Sequence, residues 1–436
     1  MKVSIFTMNG GHGTVSASIA LATYLRSRGA ECSVVDFMKE TNPLGDFLAV
    51  TYNSLLRKDL RFASLYMELA HHFPFDKFEP ANALSRKRIL RLIEKEKPQA
   101  LVLISPWIIT PVLQALRRKG GEKPKVYTVV VDLGTGMTPS WFNPETDFTI
   151  LPTRQARDFL KQFGLKDHTS EVMGMPLMPE IHNPPTVPEC LQDLKGPLCT
   201  VLGGREGGRN SLKIVDLLLK KRLDATLLIQ CGKNTSLERA ASKRKGVKVI
   251  GFPESIIPLF QTSSVVITKP GALTVSELVA LKKPFIIDTS PAVMPQERGN
   301  VQFVREENCG LIAETLEKIP SMVERILNWR PQFKYPSIYG TDRIGDFILK
   351  QRVPSILQRC PERNSTNTNV HVFTSTRCIS SSQDSPNRMV FPLVNPIIVQ
   401  SGANMNARPV AWRARHRSWA NARKTRQPTT CNQIRT

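Results

Sequence analysis

The sequence predicts an α/β protein: two Rossmann-like domains facing a cleft, followed by a basic, low-complexity tail. Three observations predict it. Short apolar runs alternate with amphipathic helical stretches through the first half of the chain and again through the second. A proline-rich stretch with little periodicity, residues 174–198, separates the halves. Each half opens with a strand that runs into a glycine-rich turn and then a helix, which is where a parallel sheet offers free N–H groups and a positive helix end to an anion.

In order, residues 3–8 read as a strand and 15–28 as a helix with Ile19, Ala22, Tyr24 and Leu25 as apolar positions. Residues 32–37, 100–104 and 126–131 are further strands, with a helix over 110–118 between the last two. Six prolines (Pro176, Pro179, Pro184, Pro185, Pro188, Pro197) mark the connection. Strand 199–202, a helix from Ser211, and strands 225–230, 247–250, 265–268 and 284–288 follow. The expected domains are 1–173 and 199–358, with 359–436 as the tail. In that tail Ser, Thr, Asn, Gln and Arg dominate, Lys424 is the one lysine, and no packed core is expected.

At 436 residues the chain is long enough for two cores, and 41% hydrophobic residues is an ordinary globular share. No apolar run reaches the ~18–20 residues of a membrane-spanning helix, and the chain starts directly with a strand, so no secretion signal or transit peptide is expected. Eight scattered cysteines form no CxxC pair and no zinc-like cluster, which points to reduced thiols in a cytosol. The net charge of +23 implies an anionic partner, and about half of the excess lies in the last 90 or so residues. Clusters such as Arg86-Lys87-Arg88 and Lys220-Lys221-Arg222 read first as solvated helix faces.

The richest stretch is 265–310. Its strand breaks at Lys269-Pro270-Gly271, and Thr274 reads as the N-cap of a helix carrying Val275, Leu278, Val279 and Leu281 at helical spacing. Glu277, one turn in, can accept hydrogen bonds from ribose hydroxyls. Gln296, Glu297 and Asn300 follow the next strand and suit sugar hydroxyls. A phosphate site beside polyol-binding groups describes a nucleotide-sugar pocket. Gly203, Gly204, Gly207 and Gly208 surround the pair Arg205-Glu206 after the first strand of the second half and can cradle a pyrophosphate, with Arg205 adding charge; a flexible surface turn is the plainer alternative.

In the first half, Gly10-Gly11-His12-Gly13 forms the turn after the first strand. A histidine there can take the proton of an acceptor hydroxyl, with Gly11 and Gly13 close to the acceptor. Asp132, at the end of a strand, can orient His12 or bind acceptor, or simply cap a turn. Trp141 and Phe142 can line a lipid path or pack. Residues 44–78 mix aromatics and leucines with Arg57, Lys58 and Arg61, as an amphipathic element on a bilayer or as a core helix. In the tail, Arg413–Arg426 interleaves arginines with Trp419 and His416 and can bind acidic membrane or RNA non-specifically.

The segments TKPGALTVSE and PQERGNVQFV resemble the donor half of the monogalactosyldiacylglycerol synthases, relatives of the peptidoglycan N-acetylglucosaminyltransferases. The resemblance spans roughly residues 1–350 and is specific at 265–310 and 131–142, where Met137 stands near a position that is often histidine in the family. It implies the GT-B architecture, a Gly-Gly-His turn in the acceptor domain, and Gly251 and Phe252 bordering the nucleotide base. It also implies inverting transfer of galactose or glucose from a UDP-sugar to diacylglycerol by an enzyme peripheral on the inner face of a membrane. The catalytic candidates are then His12 and Asp132. No DxD-like motif stands near the phosphate loops, so neither a metal nor a cofactor beyond the UDP-sugar is expected, and nucleic acid is not an expected partner. The alternatives are a peptidoglycan-precursor transferase, a UDP-sugar epimerase, or a non-catalytic scaffold binding membrane or nucleic acid.

Overall fold

The computed structural model describes residues 1–8, 12–41, 79–327 (apart from 188, 193, 195, 206, 209 and 292) and 338–350. The side chains of residues 12, 79–84, 189 and 190 fall outside that description. So do Gly11, the whole of the amphipathic candidate 44–78, and the tail from residue 351 onward.

The first lobe is a six-stranded, all-parallel sheet in the order β2-β1-β3-β4-β5-β6. Its strands are β1 (Lys2–Thr7), β2 (Glu31–Asp36), β3 (Ala100–Ile104), β4 (Lys125–Val129), β5 (Phe148–Leu151) and β6 (Ser170–Val172). The helices between them are α1 (His12–Ser27), α2 (Phe37–Thr41), α3 (Glu79–Glu96), α4 (Pro106–Arg117) and α5 (Arg154–Lys161). β3 is buried at every position, as a parallel strand covered on both faces must be. α1 turns Ala17, Leu21 and Leu25 into that core.

The connection carries the short helix α6 (Glu189–Gln192) and leads to a second six-stranded parallel sheet, ordered β12-β11-β10-β7-β8-β9. Its strands are β7 (Leu198–Leu202), β8 (Thr226–Gln230), β9 (Val247–Ile250), β10 (Val265–Thr268), β11 (Phe285–Asp288) and β12 (Leu311–Ala313). Its helices are α7 (Ser211–Lys221), α8 (Thr235–Ala241), α9 (Ile257–Thr262), α10 (Ala272–Ala280), α11 (Pro295–Glu306) and α12 (Ile319–Leu327). Strand order reverses between β1 and β3 in the first sheet and between β7 and β10 in the second. The crevices at those two switch points are where an open α/β sheet binds its ligand.

The last described helix, α13 (Thr341–Lys350), departs from the expected domain limits. It follows the second lobe in sequence but packs on the first, chiefly against α1. Phe347 stacks on Phe148 at 4.6 Å and meets Tyr127 edge-on at 6.2 Å, pairs worth about 0.5–1.5 kcal/mol each beyond their burial. The Tyr24 hydroxyl donates to Asp346 at 2.9 Å, and Gly345 lies so close to the Tyr24 ring that a Cβ would overlap it. The chain re-enters the first lobe alongside the segment by which it left. Met175 N–H donates to Ile338 C=O (2.6 Å), Gly340 N–H to Met175 C=O (2.9 Å), and Leu177 N–H to the Thr341 hydroxyl (2.8 Å).

Candidate functional site

Two helix N-termini meet where the lobes face each other. Gly13, in the first turn of α1, points at Leu273 in the first turn of α10; a Cβ on Gly13 would stand 3.9 Å from that of Leu273. His12 takes the first position of α1. On the other side the chain leaves β10 at Thr268, turns through Lys269-Pro270 with Gly271 N–H bonded to Lys269 C=O (2.8 Å), and enters α10. Gly271, not Thr274, is the N-cap of that helix, and Val275 N–H closes the first turn onto Gly271 C=O at 3.0 Å. The helix starts early because the glycine needs no side-chain cap to begin the turn. The N–H groups of Ala272, Leu273 and Thr274 have no intrahelical acceptor, and they carry the positive end of the dipole toward the cleft.

The loop after β7 lies beside this helix end in the sheet. Gly204 and Gly207 sit at φ +68° and +76°, a left-handed backbone that turns N–H groups outward. Gly203 N–H donates to Gln230 C=O (2.9 Å) and Lys233 N–H to Arg205 C=O (2.7 Å), which moors the loop to the turn after β8. Gln230 also donates through Nε2 to Gly251 C=O (3.2 Å) at the end of β9. Phe252 next to it is 43% exposed, with the Lys233 ammonium 5.8 Å from its ring centre. These positions form one rim from the phosphate loops to an exposed aromatic, as a nucleotide needs.

Glu277 is buried on α10 at 7% exposure with no side-chain partner among the described residues, and burial pushes its carboxyl from an ordinary 4.5 up to about 8. Gln296, at the start of α11, keeps a buried Oε1 that accepts nothing from the described residues. Neither has a side-chain partner among the described residues, and a polyol can supply one to each. Glu297 differs: its carboxylate takes the Lys269 ammonium at 2.6 Å, and that charge raises the lysine pKa. Asn300, expected at the sugar, is 1% exposed with its amide engaged by backbone at both ends: Oδ1 accepts from Leu133 N–H (3.1 Å) and Nδ2 donates to Pro270 C=O (2.9 Å). It ties the lobes together.

Across the cleft, Asp132 follows β4. Its Oδ2 accepts the Trp141 indole N–H at 2.8 Å. Thr138 caps the short turn that carries Trp141, accepting from Ser140 N–H. Burial raises the Asp132 pKa from 3.8 to about 6, against the indole bond, with the Glu297 charge adding to the rise. Trp141 is 1% exposed and Met137 fully buried, so among the described residues the indole packs within the core and clamps Asp132. The sequence did not reveal the seam beside Asp132. Gly134 and Gly299 touch backbone to backbone, the Thr135 hydroxyl donates to Gln302, and Gln155 donates to Glu307 at 2.7 Å. Its one visible signal is a glycine in the middle of a helical pattern, which usually has a packing reason.

Paired doubly wound lobes, with helix ends meeting at both switch points, define the GT-B architecture. Residues 12–177 match the family model of monogalactosyldiacylglycerol (MGDG) synthase, and residues 198–335 that of the glycosyltransferase family 28 C-terminal domain. The first half of the chain thus carries a monogalactosyldiacylglycerol synthase domain and the second a glycosyltransferase family 28 C-terminal domain. Among curated relatives, the processive diacylglycerol beta-glucosyltransferase of Bacillus pumilus is 24% identical over 386 residues, covering 84% of this chain and 96% of the relative. Among solved structures, MurG of Acinetobacter baumannii is similar over 80% of this chain and 99% of its own (TM-score 0.50, 16% identity). The UDP-GlcNAc 2-epimerase of Neisseria meningitidis bound to UDP-GlcNAc covers the same shares (TM-score 0.51, 14% identity). These two share the fold.

Proposed function

We propose that this protein transfers a hexose from a UDP-sugar to the hydroxyl of diacylglycerol, with inversion, at the surface of a membrane. The observation that carries this reading is the buried Glu277, without a side-chain partner among the described residues, behind the open N-terminus of α10, with Asp132 on the opposite lobe. The acceptor oxygen attacks the anomeric carbon and its proton passes to a base: His12, with Asp132 as its partner or its substitute. The bond from the anomeric carbon to the diphosphate oxygen breaks, and UDP leaves with the electron pair. The N–H groups opening α10 and the 203–208 loop meet that charge. Glu277 holds the ribose, Gln296 and Glu297 the sugar, and Gly251 and Phe252 border the base.

The names of the curated relatives favour glucose as the sugar and more than one transfer per lipid. Among the described residues no helix is long and apolar enough to cross a membrane. The net charge of +23 favours an anionic surface, which supports peripheral action on the inner face.

UDP release from a panel of UDP-sugars, over liposomes with and without diacylglycerol, tests the reading. Release that needs both one sugar and diacylglycerol is expected. UDP binding without release in any lipid would move the acceptor elsewhere, and absence of UDP binding would overturn the reading.

A further inference from the structure

The mechanism above leaves unused a closely knit contact between the lobes. The loop that follows β4 carries Asp132 and then Leu133, whose N–H is held by Asn300 Oδ1 at 3.1 Å and whose C=O accepts the hydroxyl of Thr153. Asn300 stands on α11 in the opposite lobe. Its Nδ2 holds the carbonyl of Pro270 at 2.9 Å, one residue before Gly271 begins the phosphate-facing turn. A planar amide fixes its two ends relative to each other, so the position of the Asp132 loop and that of the helix end are referred to one rigid group. The side chain is 1% exposed, so water cannot replace either bond.

We propose that Asn300 is a positioning residue. It sets the base-side loop of the acceptor lobe against the leaving-group loop of the donor lobe and holds the lobes in their reacting arrangement. The bond to Pro270 lies within the donor lobe and survives any parting of the lobes. The bond to Leu133 crosses between them and forms only when they close. Asn300 therefore belongs to the donor lobe and reads the arrival of the acceptor lobe. The backbone contact of Gly134 with Gly299 permits this approach, because a Cβ on Gly134 would stand 2.5 Å from the Gly299 carbonyl oxygen. The bonds of Thr135 to Gln302 and of Gln155 to Glu307 flank the same line.

This inference rests on the transferase reading, and its test separates the two. The full chain carries Asn300→Ala or, from the other side of the seam, Gly134→Ala. Three quantities are read: UDP affinity by calorimetry, KM for the donor, and kcat with diacylglycerol liposomes. Misplacement of reacting groups costs on the order of 10²-fold in kcat, and that loss is expected in both variants, with UDP affinity and donor KM within about threefold of wild type. A merely structural role lowers the melting temperature and leaves kcat of the folded protein unchanged, which overturns the proposal. A loss confined to donor KM in Asn300→Ala overturns it too, and returns Asn300 to the sugar. If Asn300→Ala does not fold, Gly134→Ala decides alone, because it leaves the amide intact and blocks only the approach. If wild type binds UDP but transfers nothing to any lipid, the transferase reading fails and this proposal with it.

Discussion

Glu277 is a buried carboxyl and Asp132 a half-buried one, one from each lobe, and their surroundings differ in the way that matters. Glu277 has no partner among the described residues and is pushed to about 8; Asp132 is gripped by the Trp141 indole and stands at about 6. The first is a group stored without its donors, as a binding residue is before its ligand arrives. The second is oriented in advance and poised near neutrality, as a base or a base's partner needs to be. The donor lobe waits to be completed, and the acceptor lobe is already complete around its carboxylate.

The sharpest way to break that contrast is Asp132→Asn. The amide oxygen can still accept the indole N–H, so packing survives while the charge goes. We expect kcat to fall about 10²–10⁴-fold. In wild type, activity should fall as pH drops below about 6, where Asp132 takes up a proton, and the variant should lose the part of that acid limb due to Asp132. Rates measured across pH 5–9 with saturating donor check both, and an unchanged kcat would leave Asp132 as a turn cap. His12→Ala in the same assay apportions the base role and should lose a factor of the same order.

A smaller effect is expected at Glu277. Leaving a buried hydrogen-bonding partner unsatisfied costs about 1–3 kcal/mol, so Glu277→Ala should weaken UDP binding roughly 5–100-fold by calorimetry. Stability should move the other way. The pKa of this acid is raised on folding, so its contribution is fully present below about 4.5 and is lost as pH rises through about 8. Glu277→Gln should therefore melt higher than wild type at pH 9 and equally at pH 4.5, without ligand. A wild-type melting temperature flat across that window would mean that Glu277 already has a partner. The smallest expected effect is at Gln296: on the proposed reading, in which its buried Oε1 meets the sugar, Gln296→Ala should raise donor KM a few-fold and leave UDP affinity alone.

Much of this was legible in the sequence. Strands β3, β9 and β10 stand where the apolar runs put them, and the turn between β10 and α10 was visible because glycine and proline interrupt apolar periodicity there. β5, β6 and β12 were missed; at three or four residues each, they carry too few positions to show a pattern. The start of α10 was misplaced by preferring a threonine cap to a glycine one. Two further features lie beyond any local pattern. Asn300 meets Leu133 across 167 residues, and Tyr24 meets Asp346 across 322, so neither partner is recorded in its neighbour's sequence. Asn300 looked like a sugar ligand because residue type and loop position were all that could be read; what occupies its amide is a tertiary fact.

The paired segments at Met175 and Tyr339 have a practical consequence. The two lobes exchange chain at one place, twice, so they are not beads on a string and cannot be cloned apart at the proline-rich connection. A fragment ending near residue 197 would leave Tyr127 and Phe148 without the ring of Phe347. A fragment starting there would carry a helix with nothing to lie against. A stable acceptor half has to be made as residues 1–178 joined to 338–350 by a short artificial loop, and the natural neighbours Met175 and Tyr339 mark where that splice belongs.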